Sequence, residues 1–298
     1  MSIDHTGYVT VTGKPNVGKS SLINKLLNDK VSITSHKPHT TRNKIEALYC
    51  DDNSTILFMD TPGYHKSNNK LDVFLNSEVK SSYKRADLAL MLIDLTRDLN
   101  EEDEMVISSL KSFNIERVIL VLTKFDVSSE RVVELYKQKV SALINYSDCI
   151  AISAKNDTNI IELVELIKKY LPSGEPVQKN PDNDRLMIAE TIREQIIKNM
   201  KQEVPYATNV VVESQDYDKQ KNMFNISAVI VVEKESQKPI IIGKGGTMIK
   251  KIGTNARVEL LKVFDTKINL KLFVKVHNDW RNDEKYLKTN GYNTNINK

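Results

Sequence analysis

Cysteine is nearly absent: the 298 residues contain only Cys50 and Cys149. Two isolated thiols make neither a disulfide framework nor a zinc spacing. Both lie in apolar, strand-like runs, so both are expected to be small buried hydrophobes in a reducing compartment. Long apolar runs are missing too, and none could span a bilayer. Residues 1–12 lack the basic start and apolar core of a signal peptide. The expectation is a cytoplasmic chain, with peripheral attachment to a membrane left open. Excess charge is small: a net +4 is too little to name a partner. What remains is a composition that builds ordinary cores, 40% hydrophobic and 28% charged, in a chain long enough for two domains.

The charge is unevenly spread. Residues 1–174 hold 22 Lys/Arg against 23 Asp/Glu, whereas residues 175–298 hold 21 against 16. A polyanion would therefore dock on the rear part, although such an excess also suits a merely solvated surface. In front, β-branched runs at 8–11, 45–50, 55–60, 88–94, 117–123 and 148–152 alternate with helical patterns near 19–28, 70–84, 101–112, 130–144 and 159–171. That order predicts an α/β domain with a mostly parallel sheet covered on both faces. The turn-like Asp51-Asp52-Asn53-Ser54 makes its flanking runs a hairpin, so one strand is antiparallel.

The expected domains are 1–173 and 185–280, joined by a polar, proline-bearing linker at 174–184. The rear domain reads as α+β, with helices at 185–200 and 247–264 and strands at 208–214, 224–233 and 267–276. A tail at 281–298, rich in Asn and Lys, is expected to be loosely ordered.

Gly13-Lys14-Pro15-Asn16-Val17-Gly18-Lys19-Ser20 fits G-x-x-x-x-G-K-[ST], after a strand and at the start of a helix, with Ser21 following. Glycines let backbone N–H groups curl around phosphates, and the helix N-terminus adds partial positive charge. Lys19 reaches the β- and γ-phosphates, and the Ser20 hydroxyl ligates Mg²⁺. Asp60-Thr61-Pro62-Gly63 ends a strand forty residues after Ser20. Asp60 can hold Mg²⁺ through water, the Gly63 N–H can meet the γ-phosphate, and Tyr64 comes next. Thr123-Lys124-Phe125-Asp126 chooses the base, because Asp126 can accept from guanine N1–H and the exocyclic amine, which adenine does not present. Asn is usual where Thr123 stands. A hydroxyl replaces part of that bonding, so reduced affinity is expected. Ser153-Ala154-Lys155 suits a backbone contact to the guanine carbonyl. In His39-Thr40-Thr41-Arg42, Thr41 (alternatively Thr40) can reach Mg²⁺ only while the γ-phosphate is present. The candidate catalytic set is Lys19, Thr41, Asp60 and Gly63.

In the rear domain, Gly243-Lys244-Gly245-Gly246 is a G-x-x-G loop entering a helix, an element that clamps a nucleic-acid backbone. Ile240, Ile241 and Ile242 are expected to line its groove or the core beneath, and Lys244, Lys250 and Lys251 to meet phosphates.

With these motifs in order, the chain resembles Era, a family of bacterial ribosome-associated GTPases. The likeness rests on the loop from Gly13 to Ser20, Ile33-Thr34-Ser35, Thr40-Thr41-Arg42, Asp60 to Gly63, Lys238 to Gly246, Ile249 to Gly253, Val274-Lys275-Val276 and Trp280-Arg281. The resemblance implies a P-loop GTPase domain followed by a type II KH domain that binds 16S ribosomal RNA near its 3′ end. It further implies a monomeric switch binding GTP and GDP in assembly of the small (30S) ribosomal subunit, cytoplasmic or peripheral at the inner membrane. Many small GTPases position water with a Gln where Tyr64 stands, so slow turnover is expected. In related GTPases, Asn at the Asn16 position helps hold K⁺, making K⁺ a second candidate cation beside Mg²⁺. The rivals are an RNA-binding protein whose GTP is structural and never hydrolysed, and an ATP kinase, which Asp126 opposes.

Overall fold

A computed structural model describes residues 3–28, 42, 45–63, 66–178, 184–200 and 203–292. Two compact units part between residues 178 and 184.

The first unit runs β1 (His5–Thr12), α1 (Lys19–Leu27), β2 (Ile45–Cys50), β3 (Ser54–Asp60), α2 (Lys70–Arg85), β4 (Leu88–Asp94), α3 (Glu101–Ser112), β5 (Val118–Thr123), α4 (Glu130–Ser141), β6 (Asp148–Ala151) and α5 (Ile160–Tyr170). The sheet order is β2-β3-β1-β4-β5-β6, with only β2 antiparallel to its neighbour. The hairpin turn is fixed by Asp51, whose Oδ1 accepts from Ser54 Oγ at 2.7 Å and Asn53 N at 3.2 Å. Alternation fills both faces. Leu88, Leu90 and Leu92 of β4 join the core against α1 and α5, while Ala89, Met91 and Ile93 join the one containing residues of α2, α3 and α4. Both faces being covered is why the central strands read as unbroken apolar runs. Residues at the front of the expected linker are fastened to β1: Gly174 pairs with Ile3, and Thr6 Oγ1 donates to Glu175 O at 3.0 Å.

The second unit runs α6 (Asp184–Asn199), β7 (Thr208–Asp218), β8 (Met223–Val232), α7 (Lys238–Ile242), α8 (Thr247–Phe264), β9 (Lys267–Val276) and α9 (Glu284–Thr289). β7 and β8 are antiparallel, β8 and β9 parallel. The parallel pair follows from the crossover through α8, which with α6 buries one sheet face.

Two expectations are corrected. Cys50 is exposed and Cys149 only half-buried, because β2 is an edge strand and β6 is short and partly open. The tail is ordered through Tyr292: Asp283 caps α9 by accepting from Tyr286 N at 3.0 Å, and Tyr292 is buried. Trp280, fully buried, donates from Nε1 to Ala207 O at 3.0 Å and anchors this segment. Its polar composition hid a few well-placed aromatic anchors. Among the described residues, no helix is long and apolar enough to cross a membrane.

Candidate functional site

The register of the first sheet brings the motif strands to one edge: Val11 lies opposite Asp60, Thr12 opposite Met91, Asp94 opposite Thr123, and Leu122 opposite Ala151. The loops leaving those strand ends therefore share one rim, where open α/β sheets bind ligands. Residues 13–18 form the loop between β1 and α1, with Asn16 left-handed at φ 65°. Lys19 is buried, its Nζ donating to Gly13 O and Lys14 O, both at 3.0 Å. Burial pushes its ammonium down to about 8, with the Asp60 and Glu102 carboxylates pulling it back up. A desolvated cation tethered to loop carbonyls is a strong partner for phosphate oxygens.

Ser20 Oγ donates to Asp60 Oδ2 at 2.7 Å. A hydroxyl oxygen beside a carboxylate that can accept from a cation's bound water is the all-oxygen, partly hydrated setting that a small hard cation takes. The donor set fits Mg²⁺. Thr61 is fully buried, its Oγ1 donating to Val11 O at 2.8 Å. A Cβ on Gly63 would sit 2.8 Å from Pro15 N and Cγ, so only glycine permits this approach of the loop after β3 to the loop after β1. Thr41, its alternative Thr40, the motif Ile33-Thr34-Ser35 and Tyr64 lie outside the described residues. Arg42 is 2% exposed.

Thr123 explains its own departure from Asn. Its Oγ1 lies 2.8 Å from Val17 O and 3.2 Å from Ile93 O, tying the end of β5 to the loop between β1 and α1 across 106 positions of sequence. The hydroxyl makes the inter-loop bond by itself, with Val17 fully buried beneath. Asp126, half-buried, accepts from Ser153 Oγ at 2.8 Å, and Lys155 Nζ stands 3.8 Å away. Phe125 N donates to Ile152 O at 3.0 Å, so the segments containing Asp126 and Ala154 lie side by side.

Two acidic residues escaped the sequence reading. Asp94, 1% exposed, accepts from Lys124 Nζ at 2.5 Å and from Thr96 N and Oγ1 at 2.9 and 2.6 Å. Lys124 is left-handed at φ 61°, two residues before Asp126. The available signal was a carboxylate closing an otherwise apolar strand at the same sheet edge. Asp103 is the other: Lys14 Nζ donates to its Oδ2 at 2.7 Å, with both side chains buried. The Lys14 side chain thus points into α3, and its contribution to a nucleotide site is confined to backbone.

In the second unit, Gly243, Gly245 and Gly246 hold φ of 75°, 60° and 78°. Lys244, Lys250 and Lys251 are exposed. Ile241 is fully buried, Ile242 half-buried and Ile240 49% exposed, so one of the three isoleucines belongs wholly to the core.

Fold and site define a P-loop GTPase domain followed by a KH domain. The family model for "50S ribosome-binding GTPase" matches residues 8–124, and that for "KH domain" matches residues 203–281. GTPase Era of Ureaplasma urealyticum is 44% identical, covering 96% of this chain and 97% of its own. GTPase Era of Geobacter metallireducens is 39% identical at 96% and 97% coverage. Two crystal structures match at 36% identity, covering 97% of this chain and 99% of theirs. One is a variant of Aquifex aeolicus Era bound to GDP·AlF4⁻, with a TM-score of 0.91. The other is Era in complex with MgGDPNP and nucleotides 1506–1542 of 16S ribosomal RNA, at 0.90. The chain belongs to the Era GTPase family.

Proposed function

We propose that this protein is a guanine-nucleotide switch that binds and slowly hydrolyses GTP, binds 16S ribosomal RNA, and acts in assembly of the small ribosomal subunit. One observation carries the nucleotide half: the Thr123–Val17 bond, which joins the base-reading loop to the phosphate loop at one sheet edge. Asp126, oriented by Ser153, reads guanine. Lys19 meets the β- and γ-phosphates, and the Gly63 N–H meets the γ-phosphate. Ser20, and Asp60 through water, would hold Mg²⁺, with Thr41 completing the set in the triphosphate state; the ion would supply positive charge between the phosphates. Asn16 is the residue we assign to K⁺. With Tyr64 in place of an amide, hydrolysis lacks a water-orienting side chain, and turnover is slow. Matched KCl and NaCl buffers test the K⁺ assignment; equal rates remove it. A single-turnover assay separates the hydrolysing switch from a protein whose GTP is structural.

For the RNA half, the loop from Gly243 to Gly246 receives the RNA backbone, with Ile242 beside it and Lys244, Lys250 and Lys251 meeting phosphates. Gly245→Asp is the informative variant. A Cβ there meets nothing within 4 Å, and Asp tolerates the left-handed backbone, so the unit stays folded while negative charge enters the phosphate path. Crosslinks to 16S ribosomal RNA should vanish while GTP binding persists; retained crosslinks would dismiss this assignment. We further read the protein as a cytoplasmic monomer.

A further inference from the structure

The three-stranded sheet has a second face, which α6 and α8 do not cover. Ile268, Leu270, Leu272, Val274 and Val276 of β9 turn toward the helices. Alternation puts Lys267, Asn269, Lys271, Phe273 and Lys275 on the other side. Among the described residues of this unit, a cap stands at one end of that side. There Asn209 Nδ2 donates to Tyr286 Oη at 3.1 Å, and Tyr292 Oη donates to Asn209 Oδ1 at 2.9 Å. Asn209 stands in the row Asn209–Val231–Lys275.

One row along, Phe273 is 51% exposed although its cross-strand neighbour Val229 is 2% exposed. The ring thus rests beside a buried aliphatic floor and offers surface to solvent. Lysines flank it two residues away on each side. Lys267 and Lys271 are exposed and form no salt bridge among the described residues, while Lys275 Nζ reaches Glu213 at 2.8 Å. Among the strand residues on this face, the acids Glu213, Asp216 and Asp218 belong to β7. Between the two strands, β8 presents the uncharged Met223, Asn225 and Ser227. Cations therefore line one strand and anions the other. A polyanion lying along β9 is attracted, whereas one crossing the sheet meets the acids of β7.

We propose that this β9 ledge is a second surface for single-stranded RNA, distinct from the G-x-x-G loop, which leads into α8 on the covered side. Phe273 stacks an unpaired base, and Lys267 and Lys271 neutralise the phosphates that follow. Aromatic stacking beside a cationic track is how sheet surfaces hold unpaired strands without reading sequence. The inference rests on the reading of this unit as RNA-binding.

The full chain is titrated with two unstructured RNAs: a short strand of about six nucleotides, enough for the G-x-x-G clamp, and one of about twenty. Phe273→Ala should weaken the long strand about tenfold and leave the short one unchanged. Lys267→Ala with Lys271→Ala should reduce the salt-dependence slope of long-strand binding by about 1.4, because two phosphates are no longer neutralised. All these residues are exposed, and short-strand binding reports that each variant is folded. Should every variant bind both RNAs like the parent while Gly245→Asp loses both, the ledge is refuted and the loop assignment stands. That outcome would leave a protein as the occupant of this face. Were the parent to bind neither strand, the RNA reading itself would fall, and this inference with it.

Discussion

Replacing Asp94 by Asn tests whether a buried carboxylate outside every motif sets guanine affinity. One Asp94 oxygen accepts from Thr96 N and Oγ1, the other from Lys124 Nζ. An amide keeps the first two bonds but turns an NH₂ group toward the Lys124 ammonium, donor against donor. A charge-assisted hydrogen bond is worth roughly 1.5–3 kcal/mol. The Lys124 side chain is 37% exposed and regains some hydration, so about 1–2 kcal/mol is expected. Because Lys124 occupies a left-handed backbone, loss of its anchor loosens the turn that presents Asp126. GTP and GDP affinities should fall together by about 5- to 30-fold with kcat unchanged, since nothing facing the γ-phosphate has moved. Fluorescent GDP and GTP titrations of Asp94→Asn, Lys124→Met and the double variant form the cycle. If Asp94 acts through Lys124, the double variant matches Lys124→Met; additive losses would refute the reasoning.

The same substitution has a pH signature. Burial pushes the Asp94 carboxyl up, but hydrogen bonds from Lys124 and Thr96 outweigh it and hold the group below its ordinary range. A depressed native value means its stabilisation is present above the unfolded value of about 4 and fades as pH falls through the lower native one. Asp94→Asn should flatten that acid limb of the melting curve.

Two further predictions concern buried anchors. Asp103→Ala leaves the Lys14 ammonium, whose side chain is 4% exposed, with only a long bond to Asp98 O at 3.4 Å among the described residues, and opens the α3 capping box. It should cost about 3–5 kcal/mol, lowering the first unit's melting temperature by about ten degrees in calorimetry. Pairing Lys14→Met with Asp103→Leu should restore most of it, and an unchanged melting point for the single variant would contradict the assignment. Trp280→Ala empties a fully buried site and removes the bond to Ala207 O, costing about 3–5 kcal/mol. Hydrogen exchange should accelerate across 203–292 while GTP affinity is retained; protection equal to the parent's would show that Trp280 does not anchor the C-terminal segment.

The chain announces its chemistry wherever a task is local. Glycines that must curl around phosphate, a Lys-Ser pair opening a helix, and carboxylates closing apolar strands are all written within a few residues. Short apolar, β-branched runs likewise mark the strands, and turn chemistry at Asp51 marks the hairpin. What no window of sequence contains is which side chain meets which across the fold. Thr123 looks like a deficient Asn until its hydroxyl is found against Val17 O. Lys14 is one residue of a glycine loop until its ammonium is found against Asp103. Asp94 has no motif because its partner lies thirty residues away, and a polar tail conceals that Trp280 and Tyr292 have somewhere to bury. Local backbone geometry is fixed by the residues that adopt it. Pairings between distant side chains exist only once strand register and helix packing have set the distances, and those distances decide which charge is neutralised inside the protein and which is left for a ligand.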